Sequence, residues 1–123
     1  EETRKIIGDD SLRITGTTVR VPVMYSHSES INVEFRNDFE LDELRSLLSS
    51  SPGIVLQDDP SSNLYPLATN AYGRDEVFIG RIRRDYSLKY GLNMWVVADN
   101  IRKGAATNTV QIAELLISNR RAS

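Results

Sequence analysis

The sequence predicts an α+β domain with a mostly antiparallel or mixed sheet and helices on one face. Apolar residues alternate with polar ones in several stretches, which is typical of half-buried strands, and recur every third or fourth residue in others, which is typical of helices. In chain order these patterns predict helix, strand, strand, helix, strand, strand, strand and helix. Antiparallel strands segregated from their helices define the α+β class. The glycines are isolated, so no glycine-rich phosphate loop is indicated.

The first elements follow from local signals. The opening residues resemble the last turns of a helix that Gly8 caps. A long strand is expected from Leu12 to Val23, with a bend near Gly16 because the apolar face changes parity there. A loop from Tyr25 to Ser30 then carries His27. The alternating residues Ile31, Val33 and Phe35 predict the next strand.

The central region changes to helical spacing. Leucines recur at helical spacing from Leu41 to Leu48. Glu40 precedes them as a weak N-cap, and Phe39 could form a hydrophobic staple with Leu44. The stretch from Ser49 to Gly53 ends this helix, and a short strand runs from Ile54 to Gln57.

The last region supplies two strands and a helix. Strands are expected at Glu76–Arg83 and Leu92–Ala98, joined by a hairpin-like connection from Asp85 to Gly91. Asp99 and Asn100 open the final helix. Its surface is largely apolar, which predicts that it docks on another part of the protein.

Composition excludes several classes of function. A chain of 123 residues is one domain or part of one. The net charge of -2 and the mixed charges give no basic stripe for nucleic acid, and no apolar run reaches the roughly 18 residues of a membrane helix. No signal peptide is expected. The sequence contains no cysteine, so these residues can supply no disulfide, no thiolate metal site and no cysteine nucleophile. With a single histidine, a histidine-rich metal site is excluded as well.

The candidate site centres on Arg20 and His27, which flank a short apolar stretch containing Pro22. An imidazole can transfer protons near neutral pH, and a guanidinium matches a carboxylate or phosphate. Together they predict a site for an anionic substrate that gains or loses a proton. His27 could instead be a surface or turn residue, and Arg20 a structural ion-pair partner.

Two further groups leave alternatives open. Asn100 could cap the final helix, or its amide could bind a carboxamide such as that of nicotinamide. Arg81, Arg83 and Arg84 could grip a phosphate, although a solvated or interface surface is the simpler interpretation.

Four motifs, read in order along the whole chain, resemble aspartate-semialdehyde dehydrogenase in its C-terminal part. The motifs are Val19-Arg20-Val21-Pro22-Val23 with His27-Ser28-Glu29-Ser30, Gly73 to Arg83, Gly91 to Asn100, and Asn100 to Ala106 continuing through Gln111 to Leu116. The start of the last helix also resembles glyceraldehyde-3-phosphate dehydrogenase. The resemblance therefore implies the C-terminal domain of the glyceraldehyde-3-phosphate dehydrogenase-like fold.

The resemblance also implies a function. The family reduces β-aspartyl phosphate to aspartate β-semialdehyde with NADPH, in the cytoplasmic synthesis of lysine, threonine and methionine. By this likeness Arg20 binds the substrate carboxylate, His27 is the acid/base, and Asn100 lies near the nicotinamide carboxamide. No metal is implied. A homodimer or tetramer formed through the sheet is expected.

Some parts of the family's machinery are not found here. The cysteine nucleophile, its partnering glutamine, a substrate-binding glutamate and the nucleotide loop lie in sequence that this chain lacks. We therefore expect a C-terminal piece, with residues 1–98 in the catalytic and dimerisation domain and residues 99–123 forming a helix that packs on the nucleotide-binding domain. Such a piece is expected to be inactive alone. Two alternatives are a non-catalytic dimerisation module and a related acyl-phosphate reductase such as N-acetyl-glutamyl-phosphate reductase.

Overall fold

A four-stranded mixed sheet organises the chain in a computed structural model that describes residues 2–11 and 16–122. The strands are β1 (His27–Glu34), β2 (Ile54–Leu56), β3 (Val77–Asp85) and β4 (Gly91–Ala98), in the spatial order β1-β4-β3-β2. β4 pairs antiparallel with β1 and β3, whereas β2 and β3 are parallel. The predicted α+β class with a mixed sheet is confirmed.

The helical elements are short, apart from the second and the last helices. They are α1 (Glu2–Ile7), α2 (Leu41–Ser50), a 3-10 turn (Pro60–Ser62), α3 (Ala68–Ala71), a π-helical turn (Arg102–Ala106) and α4 (Thr107–Ala122). The predicted helix in the central region is confirmed as α2, and the predicted hairpin connection as the β3–β4 turn. Glu40 precedes α2 but makes no side-chain capping hydrogen bond.

The sheet has an apolar cluster on each face. Consecutive strand residues point to opposite faces, so Phe78 and Ile79 of β3 belong to different clusters. Helix α2 covers the larger cluster, which contains Ile79, Ile82 and Leu92. Ala71 of the single-turn helix α3 is fully buried against Phe78 on the opposite face.

A bulge in β3 requires a left-handed backbone at Arg81 and a glycine at position 80. The register between β3 and β4 shifts between Gly80 and Arg83, and Arg81 takes the left-handed conformation with φ of 53°. A Cβ atom at Gly80 would lie 2.0 Å from the carbonyl oxygen of Gln57, so only glycine allows this close approach. Asp58 accepts hydrogen bonds from Ile82 N–H at 3.2 Å and Arg45 Nε at 2.9 Å, which ties the bulge to α2.

Two local predictions near the candidate site are wrong. Residues 16–23 form no strand, although the first part of the predicted strand, with Leu12 and Ile14, lies outside the described residues. Val19, Val21 and Val23 are exposed. An alternating pattern forms a strand only when another strand satisfies its backbone hydrogen-bonding groups, and no described strand pairs with this segment. His27 is not in a loop, because it pairs with Ala98 as the first residue of β1.

Helix α4 leaves many apolar side chains exposed, among them Val110, Ile112, Leu115, Leu116 and Ile117. Its contacts with the preceding π-helical turn are extensive, and its first residue, Thr107, bonds to Asp75. Within the described ranges, no helix has the length and apolar character needed to cross a membrane.

Candidate functional site

The pairing of β1 with β4 brings two predicted site residues to the same end of the sheet. His27 is directly opposite Ala98, and Asn100 follows Ala98 by two residues. These positions are far apart in sequence, so only the antiparallel register makes them neighbours. The structure thus places the predicted acid/base and the predicted cofactor residue at the same end of the sheet.

His27 has an acidic neighbour on its own strand. Its Nε2 atom lies 3.1 Å from Oε1 of Glu29, and both side chains are largely exposed. Residues two apart on a strand share a face, which explains the contact. A carboxylate at this distance can orient the ring, although water weakens an exposed pair. The ring is accessible for proton exchange with a ligand.

Arg20 is placed differently. It lies in the exposed segment before β1, which has no regular secondary structure, and its side chain makes no hydrogen bond or ion pair with any of the described residues. Two pockets, of about 480 and 320 Å³, are lined by other residues. Neither of these two pockets is lined by Arg20 or His27, and the predicted role of Arg20 stays a prediction.

Asp99 caps the beginning of the final helix, so Asn100 does not have the capping role. Asp99 Oδ1 accepts hydrogen bonds from the backbone N–H groups of Ile101 and Arg102, at 2.9 and 3.2 Å. Its Oδ2 accepts a third from Gly73 N–H at 2.9 Å. Asn100 is exposed, and its side chain has no hydrogen-bond partner in the described part of the chain. Its amide is therefore free to bind a ligand.

The sequence led us to consider Asn100 and not Asp99 as the cap of the final helix, although the position of Asp99 indicates an N-cap. An aspartate before a helix is a common N-cap. Its third hydrogen bond joins residues 26 positions apart, which no local pattern predicts. Asp99 is only 3% exposed, so its carboxylate depends on these three donors in place of water.

These hydrogen bonds also affect the ionisation of Asp99. The bond from Gly73, followed by those from Arg102 and Ile101, holds the pKa of Asp99 below its ordinary value, although burial acts in the opposite direction. A carboxyl whose pKa is lower in the folded state stabilises the fold above its unfolded pKa. That contribution is lost as the pH falls through the folded pKa.

We predict that Asp99→Asn weakens the acid sensitivity of the fold. The wild-type free energy of unfolding should fall between about pH 5 and pH 3, and the variant should lose less over this range because it has no carboxylate to protonate. Urea unfolding followed by Trp95 fluorescence at several pH values measures the difference. Glu114→Gln, which removes an exposed carboxylate on α4, is the matched control. Equal pH slopes for wild type and Asp99→Asn would contradict the assignment.

The three arginines at the end of β3 do not converge on one point. Arg84 is structural: it donates to Asp38 Oδ1 at 2.7 Å and to the carbonyl oxygen of Phe39, and it stacks on the Phe39 ring. Arg81 lies over the ring of Tyr65, and Arg83 donates to the carbonyl oxygen of Arg81. Arg81 and Arg83 remain exposed beside the 320 Å³ pocket. No group of three or more potential metal-binding side chains is present among the described residues.

Comparisons with known proteins identify the relatives of the chain. A family described as semialdehyde dehydrogenase, dimerisation domain, matches residues 1–103. An aspartate-semialdehyde dehydrogenase from Aquifex aeolicus is 55% identical over 116 residues, which cover 94% of the chain and 34% of the relative. The Bacillus subtilis aspartate-semialdehyde dehydrogenase is 47% identical with the same coverage. The chain thus spans about a third of the length of these relatives.

Solved structures agree with the fold. A crystal structure of aspartate semialdehyde dehydrogenase II from Vibrio cholerae, in complex with ASA, superposes with a TM-score of 0.81 and 46% identity. The match covers 95% of this chain and 34% of that one. An aspartate semialdehyde dehydrogenase from Francisella tularensis shares only 23% identity at a TM-score of 0.77, which shows likeness of fold.

Proposed function

Since the chain belongs to the semialdehyde dehydrogenase dimerisation-domain family, we propose that it is the C-terminal part of an aspartate-semialdehyde dehydrogenase. The parent enzyme would convert β-aspartyl phosphate to aspartate β-semialdehyde and phosphate, in the cytoplasmic synthesis of lysine, threonine and methionine. The observation that carries the proposal is 55% identity over 94% of the chain. The β1–β4 register supports it, because His27 and Asn100 lie at one end of the sheet.

The proposed roles follow from side-chain chemistry. Arg20 would hold the substrate carboxylate, because a guanidinium makes two parallel hydrogen bonds to a carboxylate. His27 would accept the proton of a cysteine thiol as it attacks the acyl phosphate, and would return a proton in the reductive step. The thiol must come from residues outside this chain, which contains no cysteine.

Asn100 is the residue of this chain that fits a nicotinamide. Its exposed amide carries both a donor and an acceptor, which complements a carboxamide, and Asp99 rather than Asn100 satisfies the N–H groups of the helix start. NADPH, once bound, supplies the hydride. The proposed part of this chain is to orient the nicotinamide ring, and most other contacts with the cofactor would come from the rest of the protein.

The remaining surfaces suggest how the chain joins the rest of its protein. We propose that residues 1–98 complete the catalytic and dimerisation domain, and that residues 99–123 pack on a nucleotide-binding domain. The exposed apolar side chains of α4 support this arrangement, because such a surface is normally covered. The family description supports oligomerisation, and the sheet is the proposed route to a homodimer or tetramer.

Turnover by the full-length protein tests the proposed function. NADPH oxidation is followed with β-aspartyl phosphate and, separately, with N-acetyl-glutamyl phosphate. The proposal expects efficient turnover only with the first substrate, whereas preference for the second would assign the protein to the related reductase. Stable oligomers without turnover of either substrate would leave only a dimerisation module.

A further inference from the structure

Helix α3 and the turn after it contact both halves of the candidate site. This segment, residues 68–75, is called the bridge below. It runs beside the end of the sheet where β1 begins and β4 ends. One group of its contacts reaches the residues just before His27, and another reaches the helix start that carries Asn100.

The contacts on the His27 side hold the backbone that enters β1. Ser26 Oγ donates a hydrogen bond to the carbonyl oxygen of Ala68 at 2.9 Å. The rings of Tyr25 and Tyr72 stack with centroids 4.1 Å apart and an interplanar angle of 22°. Ser26 has φ of 72°, an unfavourable conformation for a residue other than glycine, which needs support from its surroundings. Because Ser26 directly precedes His27, this support sets the direction in which the chain reaches His27.

The contacts on the Asn100 side hold the start of the final helical region. Gly73 N–H donates to Asp99 Oδ2 at 2.9 Å. Asp75 accepts from Arg102 Nε at 2.7 Å and Nη2 at 2.9 Å, and from Thr107 Oγ1 at 2.9 Å. Asn100 lies between Asp99 and Arg102, and both of these residues are bonded to the bridge.

The bridge is itself fixed to the core. Ala71, in the middle of the bridge, is fully buried against Phe78 and Val97. A movement of the bridge at one end therefore cannot be absorbed freely in the middle, because close-packed side chains transmit displacement.

We propose that the bridge is a shared positioning element that couples the placement of His27 to the placement of Asn100. The coupling rests on the proposed function for its catalytic meaning, because His27 and Asn100 are the acid/base and nicotinamide residues only under that function. Tyr72 is the positioning residue through which the coupling is most directly tested. It is half exposed, so its truncation removes the stack with little effect on the core.

The test is hydrogen–deuterium exchange of the full-length protein with and without saturating NADP⁺. In the wild type, NADP⁺ should slow exchange both in residues 99–106 and in residues 25–31. Tyr72→Ala should raise exchange of residues 25–31 in the free protein by about threefold or more, and should abolish their protection by NADP⁺. Tyr72→Phe keeps the ring and should restore wild-type behaviour.

The controls separate the coupling from general loosening and from the proposed function. Tyr86→Ala removes a 93% exposed tyrosine of the β3–β4 turn and should change neither segment. Ser26→Ala, which removes the other link on the His27 side, should act in the same direction as Tyr72→Ala. Persistent NADP⁺ protection of residues 25–31 in Tyr72→Ala would overturn the coupling. If the coupling is absent but the protein turns over aspartyl phosphate normally, only the coupling is contradicted. If the coupling is present but the protein does not turn over aspartyl phosphate, only the proposed function is contradicted.

Discussion

Replacing His27 by alanine in the full-length protein should lower kcat for β-aspartyl phosphate by about 10²- to 10⁴-fold, which is the usual contribution of a positioned acid/base. The effect should fall mainly on kcat because the imidazole moves protons during the reaction and contributes little to substrate binding. Stopped-flow measurement of NADPH oxidation, at saturating substrate and over a range of pH, provides the value.

A neighbouring residue provides the matched control. Ser28 follows His27 in β1 and points to the opposite face of the strand, and its side chain makes no hydrogen bond in the described part of the chain. Ser28→Ala should therefore keep kcat close to that of the wild type. A His27→Ala variant that retains more than about a tenth of wild-type kcat would remove the histidine from the acid/base role.

Replacing Arg20 by alanine should weaken substrate binding by about 2–5 kcal/mol if the bound substrate buries the pair, as expected for loss of one partner of a buried, hydrogen-bonded charge pair. That range corresponds to a rise of about 30- to 4,000-fold in the apparent dissociation constant. Arg20→Lys should recover only part of the loss, because an ammonium group cannot make the two parallel hydrogen bonds of a guanidinium. Substrate affinity is measured by titration calorimetry with a non-reactive aspartate analogue.

Arg36 is a suitable comparison for Arg20. It is also exposed, and its side chain makes no hydrogen bond or ion pair within residues 2–11 and 16–122. Arg36→Ala should leave the affinity unchanged, which separates a local contact from a general effect of net charge. An Arg20→Ala protein that binds the analogue as tightly as the wild type would show that the carboxylate is held by another group.

Elements with strong local patterns were predicted well. The leucines of α2 and the apolar runs of β3 and β4 indicate their own secondary structure, because a helix or a buried strand repeats its buried face at a regular interval. The prediction for residues 16–23 failed because a local pattern alone does not supply a partner strand. Their alternation resembles a strand, but no described strand offers the hydrogen bonds that a strand requires.

The candidate site was predictable as residue types and only partly as an arrangement. His27 and Asn100 were chosen for their chemistry, and both lie at the end of the sheet where β1 begins and β4 ends. The start of β1 was placed too late, because its first residues are polar and exposed and are held in the strand by pairing with β4. The capping role of Asp99 could have been predicted from its position before a helix, whereas its hydrogen bond to Gly73 joins distant parts of the chain and has no local signal.

The sequence by itself determined which side chains are available: one histidine, no cysteine, and helices and strands with defined apolar faces. The tertiary structure decided which of them meet. The register that sets His27 opposite Ala98, and the bonds that tie residues 68–75 to both ends of the site, depend on backbone and side-chain groups far apart in sequence. Such contacts form only when the whole sheet is assembled, because each one is oriented by packing that several elements share.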